Sequence, residues 1–403
     1  MSKCSDLQNP LKRKNGFKLI RLPGLARNEV VRSMDIDEII KLSLCSRKMD
    51  VMIKHTKLEA KKIEFRVDIN NSILQIESFN KNLNHCTPDQ LKEGSKKPKR
   101  GSPIISRLIK NYYTSFQNCA SILKHLQNII SFKSFWIRVN FEGMILRFFK
   151  EILTEPTLKN FDRLCLENGE IDAECLDLVM EMASSDRDLH ITCKTKFPHN
   201  YYHDNAFKFR HIYYSDARPV RIEHLFSLKD AYSITLDTHR LTRPDLNKFI
   251  KFWIDSDHDM IDLLNLEMWV FEPEILFNGI VVLVGERWGL NGWHLIAANP
   301  TKQRECQIMA VIWLGTRIHL YSWNKDQPIM FGDTVVEPWA PEYEALRAMN
   351  KEKELKQELE KVDTIEKKNE ITRELQNVSQ ELDSYNLVFR DGFYHYKPTN
   401  IPR

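Results

Sequence analysis

The sequence predicts an α/β chain in four stretches: three short helices, an array of alternating strands and helices, a β-meander and a pair of charged helices. Three observations predict it. Residues 17–60 hold three helix-start signals in close succession, residues 131–285 repeat a short apolar strand followed by a helical pattern, and residues 342–384 are dense in Lys and Glu. Repetition of this kind signals stacked units, because one strand and one helix cannot bury their apolar faces alone.

Residues 1–16 read as a disordered basic arm. Pro23 stands where a helix can start, since a proline in the first turn loses only a donor that would be unpaired anyway. Leu25, Val30, Val31 and Met34 follow at helical spacing. Asp35 can cap a second helix with Ile36, Ile39 and Ile40 on its apolar face, and Ser46 can cap a third with Met49, Met52 and Ile53. Domains below about 40 residues need a metal, disulfides or a partner to hold a core. A partner is the economical expectation for residues 17–60.

Residues 61–130 read as a hairpin, a linker and a helical segment. Ile63, Phe65, Val67 and Ile69 alternate, Asn70-Asn71 suits a positive-φ turn, and Ile73, Leu74 and Ile76 return. Phe79 to Pro103 is polar and interrupted by Gly and Pro, the composition of a loop. Its Lys96-Lys97-Pro98-Lys99-Arg100 is either a nuclear import signal or a solvated loop. Ile105, Leu108, Ile109 and Tyr112 lead at helical spacing into Leu123, Leu126 and Ile129.

Strands are expected at Phe135 to Val139, Leu164 to Leu166, Leu189 to Cys193, His211 to Tyr214, Ser233 to Leu236 and near Leu263 to Leu266. They recur about every 22 to 30 residues, the period of leucine-rich repeats, so 131–285 reads as a leucine-rich-repeat-like array. Within 286–335, Trp293 to Ala298, Gln307 to Trp313 and Arg317 to Trp323 form a β-meander turned at Asn299-Pro300 and Gly315-Thr316. Such a meander would close the open end of the repeat sheet, where unpaired backbone groups are a liability. Residues 341–385 read as an antiparallel helical hairpin, because the apolar phase slips around Val362 to Asn369. The tail 386–403 offers an Asp391-Gly392 turn and little else.

Composition excludes several classes. With 403 residues, 42% of them hydrophobic, the chain is long enough for two or three domains. No run of about 18 apolar residues occurs, and the N-terminus lacks the apolar core of a signal peptide. The 8 cysteines show no CxxC spacing, which fits reduced residues in the cytoplasm or nucleus. A net charge of +4 over this length is too weak to imply nucleic acid by itself, so a nucleic-acid partner is not expected, and the missing apolar run leaves no membrane partner expected either. Neither GxxxxGK[ST], GxGxxG nor GxSxG is present, so no catalytic residue, cofactor or enzyme activity is expected. His199 and His203 have a zinc-compatible spacing, but Pro198 precedes them and no third ligand follows, so they read as surface histidines and no metal is expected. Trp269, Phe271, Trp288, Trp293, Trp313, Tyr321 and Trp323 either pack the core or line a recognition surface.

Leu22-Pro23, Glu29-Val30-Val31, the Met34-Asp35 junction and the run Leu42 to Ser46 occur in an order that resembles the F-box. In particular they resemble the F-box group expanded in nematodes, which shares the insertion after Pro23 and the missing tryptophan after Arg47. Residues 216–280, with Leu228, Leu236, Leu246, Phe249, Phe252-Trp253-Ile254 and Leu266, resemble the type 2 F-box-associated domain. The resemblance implies a substrate-recognition subunit of an SCF-type cullin-RING ubiquitin ligase. Leu22, Pro23, Val30, Val31, Ile39, Ile40 and Leu42 would then pack the F-box and dock a Skp-type adaptor, and through it a cullin. The repeat region would hold an unknown protein target. Two other readings stand beside it: a protein-interaction scaffold unrelated to ubiquitination, in which the helices cap the array, and a nucleic-acid binder using residues 96–100.

Overall fold

The computed structural model describes residues 19–77, 84–86, 114–196, 201–287, 290–331 and 334–396. Within them it shows a mixed α/β chain with helices first, a large mixed sheet next and helices again near the C-terminus. It divides into two units, Met1–Phe135 and Trp136–Arg403.

The first unit begins with α1 (Gly24–Ser33), α2 (Ile36–Cys45) and α3 (Arg47–His55). The starts of α2 and α3 are set by side chains that satisfy the free amides of a first turn, whereas α1 follows Pro23 without a side-chain cap. Asp35 and Glu38 form a reciprocal capping box on α2. Ser46 Oγ accepts the Met49 amide at 3.2 Å on α3. Strands β1 (Leu58–Val67), β2 (Ser72–Glu77) and β3 (Asn84–Cys86) then pair antiparallel. Helix α4 (Ser115–Gln127), capped by Thr114 and Gln117, packs Phe116 edge-on to Phe65 with ring centroids 5.8 Å apart.

The hairpin turn differs in chemistry from the expected one. Neither Asn70 nor Asn71 has positive φ. Instead the Asp68 carboxylate accepts both of their amides, at 2.7 and 2.6 Å, which closes the turn from the side chain and leaves no need for a left-handed residue. The basic cluster at 96–100 lies outside the described residues, as do the arm 1–16 and the start of the helical segment at 104.

Strand β4 (Ile130–Asn140) leads into the second unit, where strands alternate with helices: α5 (Leu146–Thr154), β5 (Arg163–Glu167), β6 (Glu170–Asp172), α6 (Ala173–Met180), β7 (Asp188–Ile191) and β8 (Lys194–Lys196). Next come β9 (His211–Tyr214), α7 (Ile222–Phe226), β10 (Ala231–Leu236), α8 (Arg243–Asp255), β11 (Ile261–Glu267) and α9 (Pro273–Leu276). Strands β4, β5, β7, β9, β10 and β11 are parallel and lie side by side in chain order. Crossovers between parallel neighbours are right-handed as a rule, which puts successive connections on one face of the sheet. Ile137, Leu164, Leu189, Ile212, Ile234 and Leu264, each at most 2% exposed, are buried on that face. One position needs glycine: Gly169, after β5, has φ +58° and a Cβ there would lie 2.5 Å from the Phe141 backbone.

The antiparallel part follows: β12 (Leu283–Arg287), β13 (Leu290–Ala297), β14 (Ile308–Leu314) and β15 (Arg317–Trp323), with a separate small hairpin of β16 (Ile329–Phe331) and β17 (Thr334–Val336). Helices α10 (Ala340–Lys361) and α11 (Ile365–Ser384) break at 362–364 and pack on each other through Leu355, Ile371 and Val378. The meander joins the parallel strands through its last member, β15, which pairs with β11. It therefore does not end the sheet. The tail supplies two further strands, β18 (Leu387–Arg390) and β19 (Phe393–Tyr396), a hairpin turned at Asp391-Gly392 whose β19 runs parallel to β12. In this unit the sheet runs from β4 through β11, β15, β14, β13, β12 and β19 to β18.

Candidate functional site

Two surfaces stand out. The first belongs to α1–α3. Of the seven residues expected to pack and dock, Val31, Ile39 and Ile40 are buried at 5% exposure or less. Leu22, Val30 and Leu42 are half-buried, and Pro23 is exposed. The cluster also displays Leu25 at 84% and Val51 at 44% exposure. Leu25 sits six positions before Val31, about 120° around the helix from it at 100° per residue. That offset from the buried stripe is the sequence signal that marks it as outward-facing.

The second surface is the face of the parallel sheet opposite the helices. Because side chains alternate, the register sets Trp136, Arg163, Asp188 and His211 in one row. Arg138, Cys165, His190, Tyr213, Thr235, Asn265 and His319 form the next. Nearly all are partly open to solvent. The same face continues onto β14 as Ile308, Ala310 and Ile312, but there Trp339, Tyr343 and Leu346 cover it. The N-terminal end of α10 is thus the wall of the open face.

Polar groups on this face hold one another. The buried Asp188 carboxylate binds Arg163 at 2.8 Å and Arg210 at 2.9 Å. Arg138 pairs with Glu167 at 2.7 Å. Asp237 accepts from Tyr213 Oη at 2.7 Å and pairs with Arg317 at 2.9 Å. Asn265 Nδ2 donates to Thr235 Oγ1 at 3.1 Å, so its Oδ1 accepts from His319 Nδ1 at 2.6 Å, which sets the proton of that imidazole on Nδ1. Aromatic rings fill the intervals: the Arg163 guanidinium lies 4.2 Å over the Trp136 ring, and Tyr321 stacks on Trp323 at 5.3 Å.

Burial, helped by the Arg163 charge, pushes His190 down to about 4. Burial also lowers His211 and His319. It raises Tyr213, with the hydrogen bond to Asp237 acting in the same direction, and it raises Tyr321. At neutral pH the rings are therefore uncharged donors and acceptors. With guanidinium groups matched by carboxylates, the face offers aromatic area and hydrogen bonds rather than a field of one sign. Protein interfaces have that character, whereas phosphate backbones need unmatched cations.

The other candidates from sequence separate. Trp293 is buried, Tyr321 and Trp323 border the open face, and Trp269 and Trp313 are exposed at 69% and 39%. Trp288 and His199 lie outside the described residues. His203 Nδ1 accepts the Asn205 amide, and among the described residues no group of three or more metal-ligating side chains is assembled. No described helix is long and apolar enough to cross a membrane.

Sequence reasoning missed the open face as a site. Its signal is the alternation within each strand, as in Asp188-Leu189-His190-Ile191 and His211-Ile212-Tyr213-Tyr214, where the aliphatic positions go to the helices and the others do not. In comparisons with known proteins, no family model and no solved structure matches the chain. It is similar to an uncharacterized protein of Caenorhabditis elegans, 18% identical over 282 residues that cover 66% of this chain and 65% of that relative's length. It is also similar to the Skn-1 dependent zygotic transcript 15 protein of Caenorhabditis elegans, 23% identical over 294 residues that cover 66% of this chain and 83% of the relative.

Proposed function

We propose that the chain is an F-box protein, the substrate receptor of an SCF-type ubiquitin ligase, with a leucine-rich-repeat-like body related to the type 2 F-box-associated domain. Helices α1–α3 dock the Skp-type adaptor, and the open face of the parallel sheet holds the target protein. The observation that carries this reading is the apolar surface that α1–α3 leave in solvent, Leu25 above all, beside the exposed Pro23. Exposed leucine on a short helix is costly in water and gains most from a partner. The chain's own chemistry is then proximity: it raises the local concentration of a target lysine near the ubiquitin donor and needs no catalytic group.

Co-purification with the adaptor tests it. The full chain retains the adaptor, and Leu25→Asp combined with Pro23→Ala loses it while the melting temperature is unchanged, because both side chains are exposed. Retention by the double variant, or absence of adaptor from the unmodified chain, overturns the reading. A scaffold unrelated to ubiquitin is favoured by the same open face, which suits protein binding whatever α1–α3 do. That second reading predicts partners captured by the face and lost with Trp136→Ala and Tyr321→Ala, with no adaptor in the complex.

A further inference from the structure

Strand β18 ends the sheet, and among the described residues its one neighbour is β19. Its outer edge therefore carries backbone donors and acceptors without a strand to meet them, which is a template for an added strand. Of the charge, proline or bulge with which proteins usually blunt such an edge, this one has only the charge of Arg390 at its end. Here the strand reads Leu387-Val388-Phe389-Arg390, with Val388 at 42% and Phe389 at 63% exposure, and Tyr394 beside it at 44%. Phe389 and Tyr394 pack edge-on at 5.1 Å. They line one wall of a cleft of about 860 Å³ that reaches Phe277 and Met349.

The cleft has a sign. Glu274, Asp383 and Asp391 line it with no ion pair among the described residues, while Glu352 is held by Lys356 at 2.7 Å. The single lysine of the lining, Lys353, turns its amine to the Gly279 carbonyl at 2.6 Å. An apolar strand edge beside unmatched carboxylates on the same cleft complements a segment whose aliphatic and basic residues stand at every second position, so that both fall on one face of the added strand. We infer that β18 captures such a segment of a partner protein as an additional antiparallel or parallel strand, its aliphatic side chains against Phe389 and its lysines or arginines among the carboxylates. A second copy of this chain is disfavoured as occupant, because edge-to-edge pairing would bring two acidic clefts together. This surface is an edge, separate from the open sheet face, and it does not depend on the ubiquitin-ligase reading.

The test uses the full chain and a fluorescent peptide of about six residues, near the usual strand length, Val-Thr-Lys-Thr-Val-Thr, whose valines and lysine share one face. Binding should saturate, weaken at least about tenfold with Glu274→Lys plus Asp383→Lys, and weaken similarly with Phe389→Asp, a comparison of dissociation constants. These side chains are exposed, so melting temperatures should hold. The same peptide with alternate amides N-methylated, which cannot complete a ladder, should not bind. The proposal is overturned if the peptide does not bind, if its N-methylated or glutamate-for-lysine form binds equally, or if the variants bind undiminished. It is also overturned if sedimentation shows a concentration-dependent dimer that Phe389→Asp dissociates, since the edge would then pair with its own copy.

Discussion

The two halves of the sheet in the second unit share a backbone and differ in cover. On β14, Ile308-Met309-Ala310-Val311-Ile312 is buried at every position, because Phe271, Phe277 and His294 lie toward one side and Trp339, Tyr343 and Leu346 cover the other. On β9, His211-Ile212-Tyr213-Tyr214 alternates between partly open and buried. The first is the pattern of a strand covered on both faces, the second of a strand with one wet face. A face becomes core or open surface according to what lies on it, and here the wall between the two is the start of α10.

Substitutions can break that contrast, beginning with the covered half. Trp339 is fully buried, with Trp293 at 6.0 Å and Trp323 at 6.4 Å. Trp339→Ala should cost about 3–5 kcal/mol in denaturant melts, the usual loss for a large buried side chain. Gly285→Val adds bulk to the same layer: a Cβ there meets Leu295 Cδ1 and Trp339 Cζ3, each at 2.9 Å. Overpacking of this kind should cost about 1–3 kcal/mol. If both changes left the melts unmoved, α10 would not be a true cover.

A pH titration joins the halves. His190 on the open face and His294 in the covered half both have pKa values lowered from 6.5 to about 4, chiefly by burial. The unfolded chain then binds protons that the folded chain refuses, so their contribution is whole above pH 6.5 and is lost as pH falls toward 4. The melting temperature of the second unit should drop through that window, and His190→Phe should make the drop shallower. A flat profile would mean that water reaches these imidazoles.

The open half should tolerate more. Tyr213→Phe removes one donor to Asp237, which keeps Arg317, and should cost about 1 kcal/mol. Ser233→Ala, at a partly open position beside His211 in the register, should stay within about 0.5 kcal/mol. If it cost as much as a buried residue, the face would not be open.

Local signals were legible wherever neighbours in sequence are neighbours in space. The caps at Asp35 and Ser46, the aliphatic positions of the parallel strands and the break between α10 and α11 all follow from spacing and side-chain type. The turn at 68–71 was misread because an aspartate two residues upstream does what a positive-φ asparagine would have done. Strands β12, β18 and β19 were missed. Each is short, and the pairing of Leu283 with Tyr394 joins residues far apart in the chain, which leaves no periodicity to detect. The docking set was partly separable, since helical phase divides Leu25 from Val31, yet phase alone does not say that Val31, Ile39 and Ile40 are inside.

By itself, then, the sequence determined the succession of the main helices and parallel strands, the starts of α2 and α3 and the aliphatic face of each parallel strand, because these depend on side chains within a turn or two of one another. Tertiary structure alone decided that α10 covers the meander and stops short of the parallel strands, that the polar rows of six strands align into one surface, and that the tail extends the sheet to β18, which has no further strand beside it among the described residues. Those outcomes depend on contacts between distant segments, whose geometry is set only once the whole sheet has formed.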